Sequence, residues 1–309
     1  MALIAGVDEA GRGCLAGPVA AGAVILPADH GISGLRDSKK LSPRQREALF
    51  EKIQARAVAW SVGFVDHRDI DRINILQATF KAMQKALGTL SRRPDKALID
   101  GSPLPNQIIP NEGIVDGDDQ VDCIQAASIV AKVLRDRWMI RQSIIFPEYG
   151  FERNKGYGTR VHLEALEAWK ASPIHRKSFR PVQQHLPTIT WLEQTNRIGW
   201  MGEKLAALNL QQKGFDILQM NLAVPPYGEI DILARQQNTL VFVEVKSGSR
   251  MTMDMLVQKI DDQKIQRLYH AIDAYLSENP WEGSIRLDAM MVLIRRGGPR
   301  IVHYESIGS

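Results

Sequence analysis

The stretch Val7–Pro18, VDEAGRGCLAGP, decides how this chain is read. Apolar residues Leu3, Ile4, Ala5 and Val7 lead into Asp8 and Glu9, the pattern of a strand that ends on two carboxylates. Adjacent carboxylates repel unless a cation sits between them. The hard cations Mg²⁺ and Mn²⁺ prefer such oxygens. Gly11, Arg12 and Gly13 follow. Glycines let backbone amides approach a ligand closely, and an arginine at that place pairs with a phosphate. Together these residues point to metal-assisted chemistry on a phosphodiester. Taken alone, an Asp-Glu pair reads as a solvated acidic turn, so other segments must decide.

Three segments bear on it. Asp100 closes the short apolar run Ala97, Leu98, Ile99, just before Gly101. Ligands of open α/β sheets bind beyond the carboxyl ends of strands. Asp118 lies in GIVDGDDQVD, residues 113–122, where the acids at 116, 118, 119 and 122 crowd together. A helix is expected from about Gln120 to Ser143, and its small residues in IQAASIVAKVLRDRWM suit close packing on a sheet. Asp136 on that helix reads as an ion pair with a neighbouring arginine. Asp8, Glu9, Asp100 and Asp118 would then form one four-carboxylate cluster.

Residues 1–187 resemble ribonuclease HII. The matching pieces are VDEAGRG, GLRDSKKLSPRQREALF, INILQATFKAM, IDG, AASIVAKVLRDRWM, PEYGF, KGYGT and HRKSF, in the family's order and spacing. The resemblance implies a ribonuclease H-like mixed sheet flanked by helices. It implies an endoribonuclease that hydrolyses the RNA strand of RNA–DNA hybrids and single ribonucleotides embedded in duplex DNA. Its mechanism would be two-metal hydrolysis with Mn²⁺ or Mg²⁺. The family's metal-binding acids fall on Asp8, Glu9, Asp100 and Asp118. Only the Gly117-Asp118 pairing singles out the last of these.

The resemblance further implies that recognition of the sugar by its 2′-hydroxyl falls on Gly11, Arg12, Gly13 and Tyr157. On local chemistry alone Tyr157 reads as a packed loop aromatic. Two residues depart from the family pattern: Cys14 where proline is common, and Asn154 where a histidine often precedes the Lys-Gly pair. Cys14 reads as a small packing residue.

Composition agrees with a cytoplasmic enzyme. The 309 residues suit about two domains, and 44% hydrophobic content is ample for folded cores. The sequence has no apolar run of the roughly 18 residues needed to span a membrane and no secretory signal pattern. Two cysteines make neither a disulfide framework nor a zinc site. Residues 1–187 hold 26 Lys+Arg against 21 Asp+Glu, while residues 188–309 hold 13 against 14. The excess of base lies where nucleic acid would bind. Lys39, Lys40, Arg44, Arg46, Arg92, Arg93, Arg176 and Lys177 are candidate backbone contacts, each also readable as part of a solvated face.

A linker is expected at 188–195, then a second domain at 196–309. That domain should open on a helix from about Arg197 to Lys213. The strands FDILQMNL, EIDILARQ and TLVFVEVKS follow, then one long helix over about Met253–Ser277 and the strands IRLDAMMVLI and RIVHYESI. Asp231 in GEID and Glu244 in VFVEVKSG fall on neighbouring strands. Lys246 shares a strand face with Glu244. An acid followed by Glu-x-Lys resembles the restriction-endonuclease-like superfamily, a smaller α/β fold. Glu203 on the first helix would complete the site. Residues 196–309 further resemble the uncharacterised YraN family through GWMGEKLAALNLQQKGFDIL, GEIDILA, VFVEVK, QKIQRL and RLDAMMV. The expectation is a ribonuclease fused to a module that is either a metal-dependent DNA nuclease or a non-catalytic binding or scaffold unit. A metal-dependent phosphatase or a non-cutting hybrid-binding protein are the readings it competes with. Oligomeric state is not readable from these residues.

Overall fold

The computed structural model describes residues 2–36 and 38–308. The chain forms two compact units. One holds Met1–Ile140 and Tyr149–His185, the other Arg141–Glu148 and Leu186–Ser309.

The first unit is built on a five-stranded mixed sheet: β1 (Ile4–Ala10), β2 (Val19–Ile25), β3 (Ala59–Val65), β4 (Lys96–Asp100) and β5 (Asn111–Ile114). The spatial order is β3-β2-β1-β4-β5. β1 runs antiparallel to β2 and parallel to β4, so the carboxyl ends of β1 and β4 emerge at the same edge. Side chains alternate across β1. Ala5 and Val7 join the core under the helix Ile75–Gly88, together with Ala82, Met83 and Leu87. The opposite face is covered by the helix Asp122–Ile145, whose Ala126, Ala127 and Val130 pack with Phe50 and Ile53 of the helix Pro43–Arg56.

That second covering is unusually close. A Cβ on Gly22 of β2 would lie 2.2 Å from the Ala127 carbonyl oxygen, and one on Gly6 would lie 2.1 Å from the Cys123 backbone. Small residues on both partners let helix backbone touch strand backbone. This brings the start of that helix next to the end of β1.

The second unit carries a separate sheet: β6 (Asp216–Val224), β7 (Gly228–Gln236), β8 (Thr239–Gly248), β9 (Ser284–Leu293) and β10 (Arg300–Tyr304). Its order is β10-β9-β8-β7-β6, antiparallel except for the β8–β9 pair. Phe242, Leu240 and Ile230 pack with Leu268 and Ile272 of the helix Asp262–Glu278. The long helix expected over Met253–Ser277 is two helices, Met253–Val257 and Asp262–Glu278. Asp261 is the reason. Its carboxylate accepts from the Lys264 backbone N–H at 2.7 Å and starts a new helix there. Segment 188–195 is likewise not irregular. It contains the helix Ile189–Gln194, capped by the Thr188 hydroxyl. Among the described residues no helix is long and apolar enough to cross a membrane.

Candidate active site

Asp8 lies near the end of β1, Asp100 ends β4, and Asp118 sits in the short helical turn Gly117–Gln120. Each offers a carboxylate oxygen, and the three oxygens lie within 4.8 Å of one another. The Asp118 backbone N–H donates to Asp100 Oδ1 at 3.3 Å, which ties the turn to β4. Asp8 is buried, 4% exposed. Burial, the neighbouring Glu9 and Asp100 push its carboxyl well above the usual range. Ser128 partly offsets this by hydrogen bonding to Asp8, and its hydroxyl is 2.8 Å from that of Ser38.

Glu9 stands at the edge of this set, since strand alternation sends it to the other face of β1. Its carboxylate accepts from Arg12 Nη1 at 3.4 Å, and burial raises its pKa. Asp8, Asp100 and Asp118 form the tight triple, and Glu9 acts electrostatically on Asp8 from beside it. Three carboxylates facing one another are a hard-oxygen donor set of the kind that Mg²⁺ and Mn²⁺ take.

The loop after β1 is held from behind by two fully buried arginines. Arg176 donates to the carbonyls of Gly11, Arg12 and Gly17 at 2.7, 2.8 and 3.0 Å. Arg135 donates to those of Pro18, Lys155 and Ala16 at 2.9, 2.9 and 3.2 Å. Burial lowers the Arg176 pKa to about 9, which leaves it charged at neutral pH. Gly11 has φ +95°, and a Cβ there would lie 1.9 Å from Arg135 Nε, so only glycine fits. Gly13 has open space around it.

Tyr157 comes from far along the chain to the same loop. Burial and the neighbouring Cys14 thiol raise its hydroxyl pKa, and the Leu15 N–H donates to the Gly156 carbonyl at 2.7 Å. The ring is 40% exposed, with Lys132 Nζ at 5.3 Å and the Arg135 guanidinium carbon at 5.9 Å from its centre. Buried Asn154 accepts from Gly156 N–H and donates to the Tyr149 carbonyl, and so shapes the turn before Tyr157. Cys14 is a fully buried free thiol.

Several cations are not where surface reasoning put them. Arg176 is a buried brace, not a backbone contact. Arg46 is also largely buried and donates to the Ser38 and Leu41 carbonyls at 2.9 and 2.6 Å. Lys39 lies 3.3 Å from Asp118, and Lys40 pairs with Asp119. Asp136 pairs with Lys132 at 2.9 Å and approaches Arg46 at 3.9 Å, instead of its neighbouring arginines.

In the second unit, β7 and β8 bring Asp231 alongside Glu244. Asp231 Oδ2 accepts from the Val245 N–H at 2.6 Å, and burial followed by Glu244 raises its pKa to about 6. Glu244 is 1% exposed. Its Oε1 binds both Lys246 and Lys264, the latter at 2.9 Å. Its Oε2 is buried with no hydrogen-bond partner among the described residues. Glu203, on the helix Ile198–Gln212, has a pKa raised to about 7 by burial and then by Asp231. Glu203, Asp231 and Glu244 do not close into a triple like the first. Lys264 was missed at the sequence level because it comes from a helix outside the motif.

The family described as Ribonuclease HII matches residues 5–182, and that described as Uncharacterised protein family UPF0102 matches residues 202–292. A Ribonuclease HII of Desulfitobacterium hafniense is 53% identical over 186 residues, covering 60% of this chain and 72% of the relative. One of Coxiella burnetii is 53% identical over 182 residues, covering 59% and 90%. Among solved structures, the ribonuclease H2 of Pyrococcus horikoshii OT3 superposes with a TM-score of 0.52 at 28% identity, covering 59% of this chain and 96% of that one. The RNase HII of Archaeoglobus fulgidus, solved in complex with PCNA, gives 0.50 at 25%, covering 60% and 98%.

Proposed function

The chain belongs to the ribonuclease HII family through residues 5–182, as a metal-dependent endoribonuclease of RNA–DNA hybrids, and we propose that Asp8, Glu9, Asp100 and Asp118 are its metal-binding catalytic set. One observation carries this reading: three carboxylates from three separate elements converge beside a braced glycine loop. Divalent ions held there, Mn²⁺ or Mg²⁺ and two in number, would polarise the scissile phosphate and activate a water.

The protein's own groups do the rest. Ser128 and the Glu9 N–H hold Asp8 in place. Arg12, with about half its side chain exposed, offers a guanidinium to a phosphate. Arg176 and Arg135 fix the carbonyls of the loop, so the amides of Gly11 to Gly13 keep one orientation. Those amides recognise the 2′-hydroxyl. The half-exposed ring of Tyr157 packs on the sugar beside the cleavage point. A cleft of about 260 Å³ opens beside it, lined by Lys132, Arg153 and Lys155, and suits the phosphate backbone. Single ribonucleotides embedded in duplex DNA are a further substrate in this reading, and the cytoplasm is where the enzyme would meet them.

Duplex DNA carrying one ribonucleotide tests this. Asp100→Asn keeps size and removes a charged ligand, so cleavage should fall by about three orders of magnitude (~4 kcal/mol). The circular dichroism spectrum should be unchanged. Near-normal turnover by that variant in Mg²⁺ would sink the assignment, and hybrid binding without cleavage by the parent would favour a binding protein.

For residues 196–309 the orphaned Oε2 of buried Glu244 favours a cation site on Asp231 and Glu244, with Glu203 and Lys246 nearby.

A further inference from the structure

Behind Tyr157 lie two fully buried imidazoles, His162 and His175. His162 is in the first turn of the helix Arg160–Trp169, and His175 precedes the bracing Arg176. The rings of Tyr149 and Phe151 enclose both.

Their hydrogen bonds have only one consistent arrangement. The Ser172 backbone N–H donates to His175 Nδ1 at 3.0 Å, and the Ser172 hydroxyl lies 2.7 Å from the same atom. An amide can only donate, so His175 Nδ1 is bare and its proton sits on Nε2. That Nε2 is 2.9 Å from His162 Nε2. One of the two must accept, so the His162 proton sits on Nδ1. His162 Nδ1 is in turn 2.9 Å from the Tyr157 carbonyl oxygen, which can only accept. Every link runs the same way, from the Ser172 amide to the Tyr157 carbonyl. Any other tautomer, or a second proton on either ring, sets two N–H groups or two lone pairs face to face. Burial independently disfavours charge on both rings.

The chain ends on the residue that matters. The Tyr157 carbonyl also accepts from the Thr159 N–H at 2.8 Å, and the Tyr157 N–H donates to the Asn154 carbonyl at 2.9 Å. The backbone at 157 is pinned on both sides, and the backbone aims the ring. We propose that His162 and His175 are positioning residues: a neutral, single-tautomer relay that sets the backbone of Tyr157 and so the pose of its ring on the substrate's sugar. This rests on the reading that Tyr157 contacts substrate.

The experiment has two arms. Imidazole ¹⁵N NMR of the intact protein at pH 7, with signals assigned from His162→Asn, should show His162 protonated on Nδ1 and His175 on Nε2. Two Nε2–H rings, or an imidazolium, overturn the relay. In the second arm, kcat/KM is measured on duplex DNA with one ribonucleotide. His162→Phe should lower it about 10-fold, since small misplacements near a reacting centre are costly. His162→Asn keeps a donor near the Nδ1 position and should recover most of the loss. In a Tyr157→Ala background, His162→Phe should cost less than about 2-fold more, because coupled residues are non-additive. An equal cost in both backgrounds means the histidines act through general stability, and the relay falls alone. An unchanged rate for Tyr157→Ala by itself means the substrate role of Tyr157 falls, and the relay's purpose with it.

Discussion

The two units each place carboxylates at the ends of neighbouring strands, yet they balance the charge in different ways. In the first, Asp8, Asp100 and Asp118 face one another, and the cations nearby are peripheral. Lys39 reaches Asp118 with a side chain 78% exposed, and Arg12 reaches Glu9 with one 52% exposed. Exposed ammonium and guanidinium groups are screened and contribute little. In the second, Glu244 has two lysines on one oxygen, and both lysine side chains are only about a quarter exposed. Among the described residues, the first cluster is therefore met by solvent-exposed cations, whereas the second is met by lysines that are largely buried. An acid with Glu-x-Lys spacing names the residues but does not reveal this difference.

Metal binding should separate the two most widely. Calorimetric titration of the whole chain with Mn²⁺ should show a tight class of sites that Asp100→Asn weakens on the order of 1000-fold. That exceeds the roughly 10–100-fold loss usual for outer-sphere partners. A weaker class should vanish in Asp231→Ala and survive Asp100→Asn. If Asp231→Ala removes the tight class instead, the comparison is inverted.

Neutralising one acid in each unit, with EDTA present, sharpens it further. Glu244→Gln leaves two lysines without their charge partner. It should destabilise the second unit by ~2–3 kcal/mol, at or below the roughly 3–5 kcal/mol typical of a broken buried pair because both lysines are partly solvated. Asp8→Asn removes a like charge from a crowded set and should leave the first unit as stable or slightly more so. Hydrogen exchange followed peptide by peptide reads each unit separately. A loss of stability for Asp8→Asn equal to that for Glu244→Gln would show that both sites are internally balanced.

Much of the first site was legible because its information is local. Asp8 and Asp100 each follow an apolar run, and strand ends are where sheets present ligands. Asp118 stands out from four crowded acids only through the match of Gly117-Asp118 to the family pattern, and it lies in the tight triple. What was not legible depends on distant partners. Arg176 sits among charged residues in HRKSF and reads as surface, but its guanidinium is used by carbonyls 165 and 164 positions away. Lys264 and the imidazole relay are hidden in the same way. The helix break at Asp261 fails for the opposite reason. It is local, but its capping carboxylate lies inside an apolar periodicity that continues on both sides, and the periodicity outweighed the cap. The five strands of the second sheet are legible in their apolar runs, whereas β2, β3 and β5 of the first are not, and that sheet is expected through the family resemblance.

Two further histidines offer the smallest contrast. In the second unit, His303 lies 2.8 Å from the buried carboxylate of Asp288. In the first, His67 opens the helix His67–Ile73, and burial lowers its pKa to about 4, Asp66 opposing this in part. The sign follows from linkage. The unfolded chain takes up a proton on this ring near pH 6.5, and the folded chain does not until about pH 4. Stability from His67 is thus present above pH 6.5 and lost as the pH falls towards 4. The ring is partly exposed, so solvent screening reduces the full linkage value to ~1 kcal/mol. His67→Gln cannot titrate. Urea unfolding of the first unit should then match the parent at pH 7.5, and the variant should be relatively more stable by about that amount at pH 4.5. His303→Gln should instead weaken the second unit already at pH 7.5, because Asp288 loses a buried hydrogen-bond partner. An acid slope unchanged by His67→Gln would mean that burial does not hold the His67 pKa down, and this part of the comparison would fail.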